Sequence, residues 1–355
     1  LRTVTGVQTC ALPIFSNNAT LAVSQPISFA TPGPFVMLSN VTMLAGKTLA
    51  LTNSNTRGGT ITFVGSNPGI AGSLDVRSNV TVRVSANDSL GNLGTATVRQ
   101  GGTLTAPNNV TGWTGSGTLD NATVWHAKGG RIDLGGANNA MTAIGTNASV
   151  VLEDGGILPQ LNNSARNALT VYGKLSIRGT SVLQFNSGQS LTIASGGFLS
   201  GNGTIASSGI VQSNGIVSPG SSLGTLTFTT NFTLNGTAQM ELFSGGNLGS
   251  ADKVNVLAAL AGSGVVQVTT NGTFVIALGD KWDLFDWTTG TPSFTFDGSA
   301  VALDSGLSWD TSQLNIDGTI AIVPEPSGWV LVLLGVIRSE EHTSELQSQY
   351  VISYA

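Results

Sequence analysis

The chain has 355 residues, among them 47 glycines and one cysteine, with only 9% charged side chains and a net charge of −5. That composition excludes a disulfide framework and a basic nucleic-acid binder. It also makes a poor helix former, since glycine costs about 1 kcal/mol per helical position and β-branched residues lose rotamer freedom there.

At the N-terminus, Val4–Ile14 reads VTGVQTCALPI, and near the C-terminus Arg338–Ser348 reads RSEEHTSELQS. Back-translated, the second peptide permits a DNA whose opposite strand, in a shifted frame, encodes the first residue for residue. That shared DNA resembles a short-read sequencing adapter. Residues 1–14 and 338–355 are therefore expected to be adapter-derived, and residues 15–337 to be a native fragment open at both ends, lacking its start and any signal peptide. Setting the ends aside removes Cys10, His342, two of the 14 basic residues and three of the 19 acidic ones, for a native net charge of −4. No thiol chemistry remains, and His126 is the one native histidine.

Residues 15–225 carry an internal repeat. TVRQGGTL (97–104), WHAKGGRI (125–132), VLEDGGIL (151–158) and TIASGGFL (192–199) share a Gly-Gly pair followed, after one residue, by Leu or Ile. RGGTI (57–61) is a weaker fifth copy. The uneven spacing of the copies predicts one coil per copy, with insertions or an unmarked coil. GTLDNATVWHAKG (117–129) and GTIASSGIVQSNG (203–215) echo each other, matching Val124 with Ile210. Units of this kind cannot bury an apolar face alone and must stack. The pattern predicts a β-solenoid, with Val98, Leu104, Leu152, Leu158, Ile193 and Leu199 inward and with Gly, Asn, Ser and Thr at the bends.

GGFLSGNGTIASSGIVQSNGIVSPGSSLGTLTF (196–228) resembles the repeats of autotransporter-associated β-strand proteins. The resemblance implies a right-handed parallel β-helix.

From 226 to 320 the alternating runs lengthen, as in LTFTTNFTLNGTAQMELF (226–243). Residues 251–320 hold two basic and eight acidic side chains, against ten and seven in residues 15–250. Trp282, Trp287 and Trp309 fall here, which predicts a β-sandwich-like capping module with an aromatic core.

Candidate chemistry is sparse. His126 lies three residues before its Gly-Gly pair, the place of Val98, Leu152 and Ile193, so it is expected to be an inward or semi-buried stacking residue rather than a base. GNGTIA (201–206) fits a dinucleotide fingerprint formally, but nothing helical follows it, and a repeat turn is expected. Asp280, Asp283 and Asp286 in DKWDLFDW would place Asp283 opposite the other two on a strand, so they converge only if the segment is helical or sharply bent, and a solvated face is expected over a calcium site. Polysaccharide cleavage needs carboxylates converging from neighbouring coils. The positions before the Gly-Gly pairs, Arg99-Gln100, Ala127-Lys128, Glu153-Asp154 and Ala194-Ser195, form no acidic column. The expectation is no catalytic residue, no metal and no cofactor.

The native portion closes with IAIVPEPSGWVLVLLGVI (320–337). This resembles the PEP-CTERM sorting signal, with Val323, Pro324, Glu325 and Pro326 as its motif and Trp329, Leu331, Leu333 and Leu334 in a nascent apolar helix. Residues 321–337 would be a truncated signal, since a spanning helix needs about 20 apolar residues. The resemblance implies an exosortase-type membrane protease as partner and a transient membrane anchor. It further implies export to the cell surface, outer membrane or extracellular matrix of a Gram-negative-type bacterium. The expected role is structural or adhesive, with extracellular polysaccharide as a possible partner and no nucleic acid. The alternative is a carbohydrate-active or carbohydrate-binding β-helix.

Overall fold

The computed structural model describes residues 36–325 except 54–57, 66, 85–89, 91–92, 106–117, 120–123, 134–142, 159–167, 186–188, 207–208 and 272–273, together with strands Ile14–Phe15 and Ala19–Val23. Every regular element described is a β-strand. Apart from Ile14, which pairs with Thr42, the two adapter-like ends lie outside the described residues, as do Pro326 and the apolar run from Trp329.

The protein is a parallel β-solenoid. Its longest sheet has 12 strands in strictly parallel order, from Ala19–Val23 through Thr95–Arg99, Val124–Lys128, Ser149–Glu153 and Lys174–Ile177 to Thr295–Asp297. A second column follows it around the first bend, from Val36–Leu38 through Thr103–Thr105 and Arg131–Asp133, and later Val182–Gln184, Thr204–Ala206 and Thr225–Phe228. A third column includes Ala168–Val171, Ser190–Ile193, Val211–Ser213 and Phe232–Leu234. The nine-residue strand Lys253–Ala261 lies across both Thr225–Phe228 and Phe232–Leu234, joining the second and third columns into one sheet.

All six aliphatic residues expected inward are buried in one continuous core. Alternation at period two puts one side chain in and the next out, and each buried Leu or Ile contributes about 1.5–3 kcal/mol. The Gly-Gly pairs have a two-part cause. The first glycine turns the corner with positive φ, +74° at Gly101 and +78° at Gly155. The second passes so close to the preceding coil that a Cβ on Gly156 would overlap the carbonyl oxygen of Ala127. The unmarked coil also exists, and it turns at Gly179 with φ +59°.

Two repeat alignments need correction. Gly196-Gly197 sits between the third column and the long sheet, not at the corner occupied by the other three pairs. Ile193 therefore belongs to a different sheet from Val98 and Leu152, although all three face inward. The longer echo is not structural: Val124 opens a strand of the long sheet, whereas Ile210 lies just before a strand of the third column and is 64% exposed. Glycine spacing marks corners but does not say which corner.

The C-terminal part is β-rich and carries the aromatic core that was expected. The parallel columns nevertheless cross residue 226 without a break and continue to Thr295–Asp297. The cap is built on these last coils. Thr319–Pro324 pairs antiparallel with both Lys281–Asp283 and Leu307–Asp310. Trp282 is fully buried, donates from Nε1 to the Ser244 carbonyl at 2.7 Å, and lies 5.8 Å from Trp309 between ring centroids.

Candidate functional site

The densest described charge lies on the outer side of the long sheet. Arg99, Lys128 and Glu153 are register partners on successive strands. Arg77 follows Val76, the partner of Val98, and so stands beside Arg99; Arg178 follows Ile177, the partner of Leu152, and so stands beside Glu153. Adjacent strands are about 4.8 Å apart, so like charges in such a row repel unless countered. The counter-charges come from nearby positions. Asp75, with 9% of its side chain exposed, accepts from Arg77 Nε at 3.0 Å and from Arg99 Nε at 2.6 Å.

His126 is in this patch and half-buried, so the semi-buried alternative holds and the inward one is corrected. Its register partners are Thr97 and Val151, while its neighbour Ala127 pairs with Val98 and Leu152 and is buried. The cause is a turn one residue shorter than its neighbours. Gln100 and Asp154 each separate their strand from the Gly-Gly pair, but Lys128 runs directly into Gly129. His126 Nε2 lies 2.7 Å from Glu153 Oε2, and Lys128 Nζ lies 3.7 Å from Asp154 Oδ2. Both carboxylates of the Glu153-Asp154 doublet are thus engaged by cationic or ionisable groups of the preceding coil.

The Asp280, Asp283 and Asp286 segment takes the sharply bent alternative, and the solvated-face expectation is corrected. The chain bends at Leu284, between a strand paired antiparallel and one paired parallel, so Asp283 and Asp286 converge. Both contact Lys253 Nζ at 2.6 Å. Asp280 is buried and caps backbone N–H groups of Gly246 and Ala277 at 2.6 and 2.8 Å. Burial raises the Asp283 pKa against the opposing pull of Lys253. Burial also works against the charge of Lys253, but its two carboxylate partners outweigh it and raise its pKa. Among the described residues no group of three or more His, Cys, Asp or Glu side chains is placed to hold a metal ion.

The GNGTIA segment forms a turn and the strand Thr204–Ala206, as expected of a repeat. Asp252 gave no signal in the sequence. It is buried beside Gly220, accepts from the backbone N–H of Gly224 at 3.0 Å and of Glu241 at 3.2 Å, and burial pushes its pKa up to about 7. The Asp75–Arg77 pair was visible in principle, since opposite charges two apart on a strand share a face.

Of the sorting-like motif, Val323, Pro324 and Glu325 are described. Val323 pairs with Ser308 in the cap, Pro324 ends the strand, and Glu325 donates its backbone N–H to the Gly306 carbonyl at 2.8 Å. Pro324 and Glu325 are exposed. Fold and surface together define a parallel β-solenoid with a mixed-charge row and an exposed end to its last described strand. No family model matches the chain, and no curated protein matches it.

Proposed function

We propose that this is an exported, non-catalytic structural or adhesive protein of a bacterial surface or extracellular matrix, sorted through the PEP-CTERM-like segment by an exosortase-type protease. The observation that carries the reading is where the motif leaves the fold. Pro324 and Glu325 stand exposed at the end of the last strand of the cap, so a protease working there would reach them without opening the core. The protein is the substrate in that step and performs no chemistry.

Long-read recovery of the locus, followed by expression in its host with and without the exosortase, tests the proposal. An apolar continuation after Ile337 closed by arginines, and membrane retention when the exosortase is deleted or Pro324 and Pro326 are replaced by Ala, are the expected results. A stop codon or polar continuation directly after Ile337 would remove the sorting signal. The enzymatic alternative makes its own demand: polysaccharide turnover by the purified chain, lost in His126→Gln or Asp154→Asn, would overturn the non-catalytic reading.

A further inference from the structure

The charged row on the long sheet is built in a way that a solvated face does not require. Arg77 and Arg99 stand on neighbouring coils, each with 49% of its side chain exposed, and share one carboxylate that is itself nearly buried. Each reaches Asp75 through Nε. A guanidinium has five N–H donors in a planar fork, so this bond fixes the group while using one of them. Lys128 continues the row on the next coil and Arg178 on the third, and Lys174 stands at the other end of the strand that Arg178 follows, in register with Ser149. Five cations face three carboxylates, Asp75, Glu153 and Asp154. The result is a local excess of two positive charges in a chain whose net charge is −5.

We infer that this face binds a linear anionic polysaccharide bearing uronate carboxylates, laid along the solenoid axis across the strands. The inference rests on the adhesive reading above and names its partner. Cations stand on four of five successive coils about 4.8 Å apart, with Glu153 between Lys128 and Arg178, which suits a polymer that repeats its charge along its length. Arginine forks match carboxylates in two-point contacts. The outward positions beside the row carry small hydroxyls, Thr95, Thr97 and Ser149, suited to sugar hydroxyls. The only aromatic ring at a described outward position of these strands is the His126 imidazole, which Glu153 engages, so they offer no open series of rings on which nucleic-acid bases would stack. Nor does the row offer the large apolar anchors that dominate protein partners.

The test uses the 355-residue chain and three polymers: polygalacturonate, neutral dextran and double-stranded DNA. Polygalacturonate should bind, and binding should weaken as added salt shortens the Debye length toward about 8 Å. Dextran should not bind. Arg77→Gln/Arg99→Gln should raise the apparent Kd at least about tenfold, equivalent to losing one strong charge-assisted contact. Because that change leaves Asp75 without partners, Lys128→Gln/Lys174→Gln, on exposed and half-buried sites, serves as the second variant and should raise Kd about threefold. Arg83→Gln, outside the row, should leave binding unchanged. Equal affinity in both double variants overturns the site, and tighter binding of DNA than of polygalacturonate overturns the partner. Loss of binding with surface localisation intact removes this inference alone and leaves the sorting proposal standing.

Discussion

The side chain of Asn315 completes both backbone hydrogen bonds of Phe294: its Oδ1 accepts from the Phe294 N–H at 2.7 Å and its Nδ2 donates to the Phe294 carbonyl at 3.1 Å. Phe294 is buried, packs tilted against Phe285 with ring centroids 5.1 Å apart, and leads into Thr295–Asp297, the last strand of the long sheet. One carboxamide thus imitates the strand that a further coil would have supplied. Asn315→Leu leaves two buried backbone groups unpaired, at about 1–3 kcal/mol each. Chemical denaturation should show that loss. Size-exclusion chromatography should show concentration-dependent association through the uncovered edge. Asn315→Asp keeps the acceptor but sets a carboxylate oxygen against the Phe294 carbonyl, and should destabilise as well.

The register predicts opposite fates for two adjacent residues. Leu152 is fully buried between coils, so Leu152→Asp places a charge in the core and should unfold the neighbouring coils. Glu153 faces outward and holds His126, and Glu153→Ala should change stability by less than about 1 kcal/mol. Equal destabilisation at the two positions, measured by thermal unfolding, would refute the register.

The two glycines of one pair should also differ. Gly155 has φ +78° and open space around its Cβ position, so Gly155→Asn should cost about 1 kcal/mol or less. Gly156→Ala must push back the Ala127 backbone and should cost several times more. Parallel denaturation curves of the two variants make the comparison.

Asp252 sets a pH dependence. Its folded pKa of about 7 lies above its ordinary value of 3.8, because burial penalises the charge more than its two backbone donors and despite them favour it. A raised carboxyl pKa gives stability that is full below pH 3.8 and is lost as pH rises through about 7. The advantage of the wild type over Asp252→Asn should therefore shrink by on the order of 2–4 kcal/mol between those limits and then level off. An advantage that grows with pH would contradict this sign.

The sequence made the parallel solenoid legible because its evidence is repeated many times over: buried aliphatics at period two, glycines at corners. Single positions were harder. His126 was misplaced because glycine pairs were aligned without gaps, and a turn shorter by one residue moves every side chain of its strand to the other face. For Asp283 the straight strand was preferred to a sharp bend, because nothing local in the sequence shows that the chain changes pairing partners at Leu284. Asp252 was missed because its burial comes from the turn around Gly220 and from Glu241, neither of which leaves a local pattern. The carboxamide cap at Phe294 was equally silent, since an asparagine 21 residues away looks like any other.

The strand Lys253–Ala261 gives the solenoid a direction. Upstream of it the second and third columns are separated by a bend, as between Phe228 and Phe232; from it onward one long strand spans both, and Phe285–Gly290 stacks on it in the same way. Coils on the two sides of this splice differ in outline and are not interchangeable. A duplication of residues 174–197, one period from Lys174 to its partner Phe198, should lengthen the protein without unfolding it. Residues 237–264 moved into the same upstream place should break the stack. Growth by copying is thus open to the upstream coils, whereas the coils beyond Lys253 tolerate only copies of their own outline.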